Sequence, residues 1–389
     1  MDLLKTICSE TYWMQLGECE VLKVSPGSTV VSPFGLRLPL CALAAVARGH
    51  AKEELMSALG MSRESEIKNC YRDVNQEVAI MASYDLMLKN VIYLNESLEV
   101  APSFKNSSRR YSVRIDKAGF RYPTAAAKYM NRWFAQETLY RVSTLIDEDD
   151  IDNTTSMVIL SGIYYKVSWE MPFYLQFTKP MKFYDLKNNY EIIPMLCKLD
   201  SFLYFDDVNN NFKVLTIHLG TPGASISFYL PETRTGLPDL IKKLSNDPEL
   251  MTESLKKLQM KRLRIYLPRM QIKTYVDWSG FMRLIGINDV FSVNASGLEG
   301  ILKNDSNSHV YLSTAKQKIF MEMDELGVMR QKPENTMEQE AREFAEFGDD
   351  LEQLEFDHPF FFTLTVSPPQ PDKTPVQMLI GAFHGPYEG

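Results

Sequence analysis

The side chains that most often carry enzyme chemistry are sparse and scattered in this sequence. Its five histidines lie far apart, with no metal-ligand spacing, at His50, His218, His309, His358 and His384. The chain contains no Walker-type phosphate loop, no GxGxxG turn, no HExxH helix and no GxSxG elbow. A Ser-His-Asp triad assembles only in the folded state, but nothing here singles one out. We therefore predict no enzymatic activity, no metal site and no cofactor.

Composition and charge limit the classes of protein that this chain can be. Its 389 residues are 45% hydrophobic, enough for a large core, and the net charge of −8 disfavours nucleic acid as a partner. Basic clusters at 256–257 and 261–264 are read as a solvated face, with a polyanion site as the alternative. No stretch approaches the roughly 20 apolar residues of a membrane span. We expect a monomer that binds neither nucleic acid nor membranes.

The cysteines and the glycosylation sequons give information about the cellular compartment in which the protein is found. Five cysteines without a CxxC pair argue against a disulfide scaffold. Residues 1–6 lack the apolar region of a signal peptide. We nevertheless expect an extracellular protein, with the cytoplasm as the alternative, because five Asn-x-Ser/Thr sequons occur. The sequons begin at Asn95, Asn106, Asn153, Asn294 and Asn304.

Hydrophobic periodicity places helices mainly early in the chain and strands after them. Helical spacing covers 34–59, which Gly49 divides into two helices, as well as 124–145 and 277–284. The nearly unbroken apolar run 157–165 is typical of a strand covered on both faces. This order indicates an α+β protein, and the lack of a linker predicts a single domain over 1–389. Further strands are predicted at 181–184, 212–218, 225–230, 264–272, 310–323 and 377–383.

Segments from one end of the chain to the other resemble, in order, characteristic stretches of the serpin family. Val30–Phe34 with Ala47–Leu55 resembles the family's SPxS turn and ARGxTxxE helix end, and Asn131–Trp133 resembles its INxWV helix. The most specific match is Gly162–Phe173, which resembles the NAIYFKGxWxxPF stretch of the central sheet.

The later segments extend the same resemblance. Met323–Gly327 is similar to the family's DExG hinge, Asp357–Phe362 to its DHPF strand, and Leu267–Arg269 to its LPK strand start. The resemblance implies three β-sheets, eight to nine helices and an exposed reactive-centre loop at about 328–356. In inhibitory members a serine protease cleaves that loop, which then inserts into the central sheet and distorts the tethered protease.

The resemblance also implies where insertion begins, at the breach. Trp169 and Arg269 would lie there, and Glu325 would pair with Arg269. Trp169 can also be an ordinary core aromatic, and the two readings are compatible.

The hinge that would lead insertion comprises Glu325, Gly327, Val328, Arg330, Lys332 and Pro333. Inhibitory members carry Thr or Ser and then small residues after the hinge glycine, because alternate side chains of an inserted strand are buried. One register here buries Arg330, Lys332 and Glu334, and an unpaired buried charge is strongly unfavourable. The other buries Pro333, which lacks the N–H that a central strand must donate. The hinge therefore predicts poor insertion.

A second set of departures falls on the shutter, the hydrogen-bonded gate through which the family's sheet opens. The resemblance places Ser32, Gly35, Ser161 and Gln317 there. The family has serine, asparagine and histidine where this chain has Gly35, Ser161 and Gln317. These replacements suggest that the shutter is no longer adapted to rapid opening of the sheet, although a different hydrogen-bond network can serve the same purpose.

The loop itself is acidic, with nine acids and one base between Glu334 and Glu355. Counting from Gly327 places the scissile bond at Ala341–Arg342, whereas counting back from the DHPF strand places it near Gly348. Arg342 is the one trypsin-like position of the acidic stretch. A mobile charged tether and an amphipathic helix both fit this segment. The apolar stripe of that helix would be Phe344, Phe347, Leu351 and Leu354.

Three functional hypotheses follow from the sequence. The first is a serpin-fold protein without protease-trapping activity that acts by binding, with a serine protease or another protein at the acidic loop 334–355. The second is a working serine-type endopeptidase inhibitor that uses loop insertion. The third is an enzyme on an unrelated fold, for which no residue proposes a reaction.

Overall fold

The computed structural model describes residues 27–67, 86–247, 249–303, 309–326, 342, 351–367 and 375–386. These residues group into two compact units. One unit holds Ser32–Tyr165 and Thr274–Phe320, and the other holds Lys166–Lys273 with the residues up to Val31 and from Met321 onward. The prediction that residues 1–389 form one domain stays a prediction.

Seven α-helices occur among the described residues, and the predicted pair within 34–59 is present. Prolines begin α1, α3 and α4, where their fixed φ suits the first helical turn. Ser32 Oγ caps α1 by accepting from Gly35 N at 3.0 Å. No described helix has the length and apolarity needed to cross a membrane. The helices are α1 Pro33–Ala44, α2 Gly49–Ala58, α3 Pro102–Arg110, α4 Pro123–Glu137, α5 Leu237–Asn246, α6 Glu249–Lys256 and α7 Trp278–Leu284.

Helix α4 ends earlier than the predicted 124–145. Leu139 and Tyr140 have positive φ angles of 49° and 62°, which a helix cannot contain. Leu139 is also 68% exposed, so the apolar character of this stretch does not continue the buried face of the helix. After this turn, Val142 is again buried in the core, and its N–H donates to Thr138 Oγ1 at 3.0 Å.

Fourteen strands form two hydrogen-bonded sheets in the part of the chain that is described. Their orders are β10-β11-β4-β2-β3 in the five-stranded sheet and β1-β14-β13-β8-β7-β6-β9-β12 in the nine-stranded sheet, where β5 also pairs with β6. The strands are β1 Thr29–Val31, β2 Leu86–Asn95, β3 Val113–Ala118, β4 Met157–Lys166, β5 Lys179–Tyr184, β6 Tyr190–Asp207, β7 Phe212–His218, β8 Ala224–Pro231, β9 Gln259–Pro268, β10 Met270–Asp277, β11 Leu312–Met323, β12 Gln353–Glu355, β13 Phe360–Val366 and β14 Val376–Phe383.

The five-stranded sheet has β4 at its centre. Every residue of β4 except Lys166 is buried, as the apolar run predicted. Helix α4 covers β4 so closely that a Cβ on Gly162 would lie 2.7 Å from the Phe134 ring. A buried cluster that includes Met130, Phe134 and Leu160 fills the space between helix and strands.

The long strand β6 explains why the described strands form two networks rather than the three sheets implied by the resemblance. Its first part pairs with β5 and β9, and its last residues, from Leu203, pair with β7. One strand thus joins what would otherwise be separate sheets. The predicted strand 264–272 is two strands, β9 and β10, which meet at Arg269.

Candidate functional site

The residues that follow β4 contact those at the end of β11 and just after it through backbone and indole hydrogen bonds. Val167 N donates to Glu322 O, and Trp169 Nε1 donates to Asp324 O, both at 2.7 Å. Trp169 is completely buried, and its ring packs edge-on against Phe173 with 5.0 Å between centroids. Trp169 is therefore a core aromatic that also holds the chain just before the predicted hinge.

Glu325, the next residue, is buried with its charge satisfied. Its carboxylate accepts hydrogen bonds from the Arg269 guanidinium and from Thr178 Oγ1, the latter at 2.8 Å. Its backbone oxygen accepts from Phe173 N at 3.0 Å. Burial opposes ionisation, but the hydrogen bonds from Arg269 and Thr178 outweigh it, and the pKa of Glu325 lies below its ordinary value. The Arg269–Glu325 contact implied by the resemblance is thus present.

The four residues assigned to the shutter lie together around the Gln317 amide. Ser32 N donates to Gln317 Oε1, and Gln317 Nε2 donates back to Ser32 O, both at 3.0 Å. Gln317 Nε2 also lies 3.4 Å from Ser161 Oγ, and Gln317 is fully buried. Because both polar atoms of the amide are used, the network is closed and needs no water.

Gly35 is the residue that makes room for this amide. A Cβ at position 35 would lie 2.8 Å from Gln317 Nε2 and 2.9 Å from both Ser161 Oγ and Ile163 Cδ1. Real Cβ atoms essentially never approach other atoms that closely. Gly35 and Gln317 are therefore complementary in volume, and the two departures from the family pattern fit each other.

Most of the predicted hinge and the scissile pair fall outside the described residues. Gly327, Val328, Arg330, Lys332, Pro333 and Ala341 are all among those. Arg342 is described, with helical backbone and an exposed side chain.

At its end, the acidic loop differs from the predicted exposed segment with a helical apolar stripe. Residues Gln353–Glu355 form β12, which pairs in parallel with β9, so that Leu354 lies opposite Ile265. Leu354 is 5% exposed. It is buried because of strand pairing, and it does not lie on an amphipathic helix. The last residues of the predicted loop, about 328–356, thus include a short strand of the nine-stranded sheet.

Three side chains meet, two from one helix and the third from a distant part of the chain. His50 and Glu54 lie one turn apart on α2, and Asp289 begins a short 3-10 helix. His50 Nδ1 lies 2.9 Å from Asp289 Oδ2 and 3.6 Å from Glu54 Oε1. The hydrogen bond to Asp289 raises the pKa of His50. Within the described residues this is the one group of three or more such side chains that could hold a metal ion.

His358 has a structural role in the fold. It is buried, with Nδ1 2.7 Å from Asp357 Oδ1 and Nε2 2.9 Å from the carbonyl oxygen of Pro231. Both ring nitrogens are thus engaged by the fold.

Residues 19–370 match the model of a protein family described as serpin (serine protease inhibitor). Alaserpin of Manduca sexta is 29% identical over 310 residues, which are 79% of this chain and 78% of that protein. Antichymotrypsin-2 of Bombyx mori is 26% identical over 310 residues, 79% of this chain and 81% of its own length.

Solved structures show the same fold at lower sequence identity. The crystal structure of Manduca sexta serine protease inhibitor (serpin)-12 superposes with a TM-score of 0.81 and 20% identity, covering 96% of this chain and 98% of the other. The α+β fold predicted from the sequence is thereby confirmed.

Proposed function

We propose, since this chain belongs to the serpin family of serine protease inhibitors, that it has lost stable protease trapping and acts through binding. The observation that carries this proposal is the hinge sequence Val328–Glu334. Trapping requires this segment to become a strand of the five-stranded sheet, and neither of its two registers suits that place.

The burial of the neighbouring strands supports the argument from the hinge. Nine of the ten residues of β4 are buried, and β11 beside it is buried over most of its length. A strand inserted between them would enter the same environment, because its neighbours on both sides are covered. Arg330 and Lys332 would lose their hydration there without an acidic partner, which is unfavourable by several kcal/mol for each ion.

The shutter network also favours a sheet that stays closed. The Gln317 amide forms reciprocal bonds with the backbone of Ser32, and Gly35 leaves no space unfilled around it. Opening the sheet at this point would break two buried hydrogen bonds.

The binding element that we propose is the acidic loop 334–355, shortened at its end by β12. Nine acids with a single base make it a partner for a positively charged protein surface. A serine protease with trypsin-like specificity would meet it as a substrate at Arg342, whose side chain is exposed. In this reading the chain has no catalytic turnover of its own.

Incubation with bovine trypsin and with an elastase tests the proposal. We expect nicking after Arg342 and release of active protease, with no protease complex that survives SDS. The matched control is Arg342→Gln, which removes the nick and leaves the hinge untouched. An SDS-stable complex with the unmodified chain would overturn the proposal.

The second candidate function is protease inhibition by loop insertion, and one observation favours it. The breach has its full set of contacts, with Trp169 bonded to Asp324 and Glu325 bonded to Arg269 and Thr178. A chain that no longer inserts its loop has no need to keep this arrangement. Formation of the SDS-stable complex in the same experiment would decide for this candidate.

We also propose an extracellular location, on the basis of the sequons. Asn106, Asn153 and Asn294 are exposed, so that a glycan could be attached without unfolding. Expression in a secreting eukaryotic cell, followed by glycosidase treatment, should give a drop in apparent mass. Retention of the unglycosylated chain in the cytoplasm would support the alternative.

A further inference from the structure

His50, Glu54 and Asp289 bring one imidazole and two carboxylates together within one compact unit. Their ligand atoms all lie within 4.8 Å of one another. His50 Nδ1 is 2.9 Å from Asp289 Oδ2 and 3.6 Å from Glu54 Oε1. Two ligand atoms of a tetrahedral zinc ion lie about 3.3 Å apart, because Zn–N and Zn–O bonds are about 2.0–2.2 Å long. The three atoms are therefore close to the spacing that a single bound ion requires.

The fold fixes Glu54 and Asp289 relative to each other and leaves one oxygen of Glu54 unused. Glu54 Oε2 accepts hydrogen bonds from Asn288 N at 2.9 Å and from Asp289 N at 2.8 Å, at the start of the 3-10 helix. The Glu54 side chain is 9% exposed, yet its Oε1 accepts no hydrogen bond within the described residues. Backbone bonds to one oxygen of a carboxylate orient the other oxygen for a metal ion.

The cluster is open to solvent on the side of His50. The His50 side chain is 67% exposed and that of Asp289 is 35% exposed. An ion can therefore reach the imidazole and the Asp289 carboxylate directly from solvent, without any opening of the core.

The charges around His50 favour a cation. The groups that raise the pKa of His50 are Asp289, by a hydrogen bond and by its charge, followed by Glu54 and Glu53. When the imidazole is neutral, two carboxylates lie within 4.8 Å of each other and repel. A proton on His50 offsets one of these charges, whereas a divalent cation would offset both.

The donor set indicates which class of ion would bind. Imidazole nitrogen is a ligand for zinc and other first-row transition metals, whereas magnesium and calcium are held by oxygen ligands. One nitrogen and two carboxylate oxygens are a donor set that zinc accepts, with at least one coordination position left for water.

We propose that His50, Glu54 and Asp289 form a binding site for a divalent transition-metal ion such as Zn²⁺. The ion would join α2 to the 3-10 helix that follows α7, and so would stabilise this compact unit. The sequence predicted no metal site, because the third ligand lies 239 positions from His50. The proposal is independent of protease trapping, since none of the three residues belongs to the breach, the shutter or the hinge.

Isothermal titration of zinc chloride into the full chain tests the site. The titration is run at about pH 8, because a zinc-binding imidazole must be deprotonated. Accessible thiols are alkylated first, so that cysteine does not compete as a ligand. We expect one Zn²⁺ per chain with a micromolar Kd, and Mg²⁺ binding at least about a hundredfold weaker. No zinc binding below millimolar concentration, or equal affinity for Mg²⁺, would overturn the proposal.

Ligand variants of unchanged size test the assignment of the residues. His50→Gln and Asp289→Asn should each weaken zinc binding at least about tenfold. The matched control is His218→Gln, at an exposed histidine that ends β7, which should change the affinity by less than about twofold. Unchanged affinity in the two ligand variants, or an equal loss in His218→Gln, contradicts the site.

Thermal denaturation separates metal binding from a structural role of the His50–Asp289 contact. Without zinc, His50→Gln should melt within about 1 °C of the unmodified chain, because an exposed contact contributes little to stability. Zinc at about 100 times its Kd should raise the melting temperature of the unmodified chain by about 2–4 °C. The rise in His50→Gln should be less than about 1 °C. Equal rises in the two proteins would show that zinc binds elsewhere.

Discussion

Gln317 on β11 and Ser32 at the start of α1 are joined by two reciprocal hydrogen bonds of 3.0 Å, formed between one side-chain amide and one backbone residue. The residues are 285 positions apart in the sequence and both are buried. This pair closes the shutter of the five-stranded sheet, and it does so with Gln317 at a position where the family pattern has histidine.

Removing the amide should destabilise the protein strongly. Gln317→Ala removes two buried hydrogen bonds to the backbone of Ser32, so the free energy of unfolding should fall by about 2–4 kcal/mol. Urea denaturation followed by circular dichroism measures the change. Gln271→Ala, at an exposed glutamine on β10, is the control and should change the free energy of unfolding by less than about 0.5 kcal/mol. A small loss at Gln317 would mean that water replaces the amide.

Gly35 and Gln317 should be energetically coupled. Gly35→Ala places a methyl group 2.8 Å from Gln317 Nε2, so the single variant should lose about 1–3 kcal/mol through overpacking. With Gln317→Ser as the second change, the crowding at this point is relieved. A double-mutant cycle should then give a coupling of about 1 kcal/mol or more. Strict additivity of the two changes would contradict their complementarity.

The Arg269–Glu325 pair should give a pH-dependent contribution to stability. The folded pKa of Glu325 is lowered, so its stabilisation is fully present above the ordinary carboxyl range and is lost as the pH falls through the folded value. Arg269→Gln should therefore lower the free energy of unfolding by about 1–3 kcal/mol at pH 7. The difference from the unmodified protein should shrink between about pH 5 and pH 3.

Denaturant titrations at pH 7, 5 and 3.5 check this expectation. Lys303→Gln, which removes a 3.7 Å contact between two exposed side chains, is the control and should have little effect at any pH. A deficit in Arg269→Gln that stayed constant down to pH 3.5 would exclude the ionised Glu325 as its cause.

Nicking should leave the thermal stability nearly unchanged. A loop that cannot insert adds no strand, so the protein cut at Arg342 should melt within about 3 °C of the intact protein. A variant with alanine at positions 330, 332, 333 and 334 removes the charges and the proline that oppose insertion. After the same cut it should melt more than about 10 °C higher, if the hinge is the cause. Differential scanning calorimetry of all four samples separates the outcomes, and a large rise in the unmodified chain would refute the hinge argument.

The sequence predicted those contacts that follow from local motifs. Trp169 and Glu325 each lie in a stretch with a characteristic pattern, and Arg269 follows a recognisable strand end. The resemblance therefore placed all three before any geometry was known. The extent of β4 was likewise predictable, because a strand buried on both faces is a continuous apolar run.

Other features depend on contacts that no local pattern encodes. Leu354 has helical spacing to Leu351, yet it pairs with Ile265 on β9, a partner far away in the chain. Helix α4 ends where Leu139 and Tyr140 have positive φ angles, and no glycine or proline in the sequence marks this end. His50 meets Asp289 across 239 positions of the sequence.

The parallel pairing of β12 with β9 determines whether the two fragments stay together after cleavage at Arg342. Arg264 N donates to Glu352 O at 3.1 Å, Phe356 N donates to Tyr266 O at 2.9 Å, and β13 and β14 lie deeper in the same sheet. The three described strands downstream of a cut at Arg342 thus remain hydrogen-bonded within the nine-stranded sheet. The two fragments should travel as a single particle through gel filtration and separate only in denaturant.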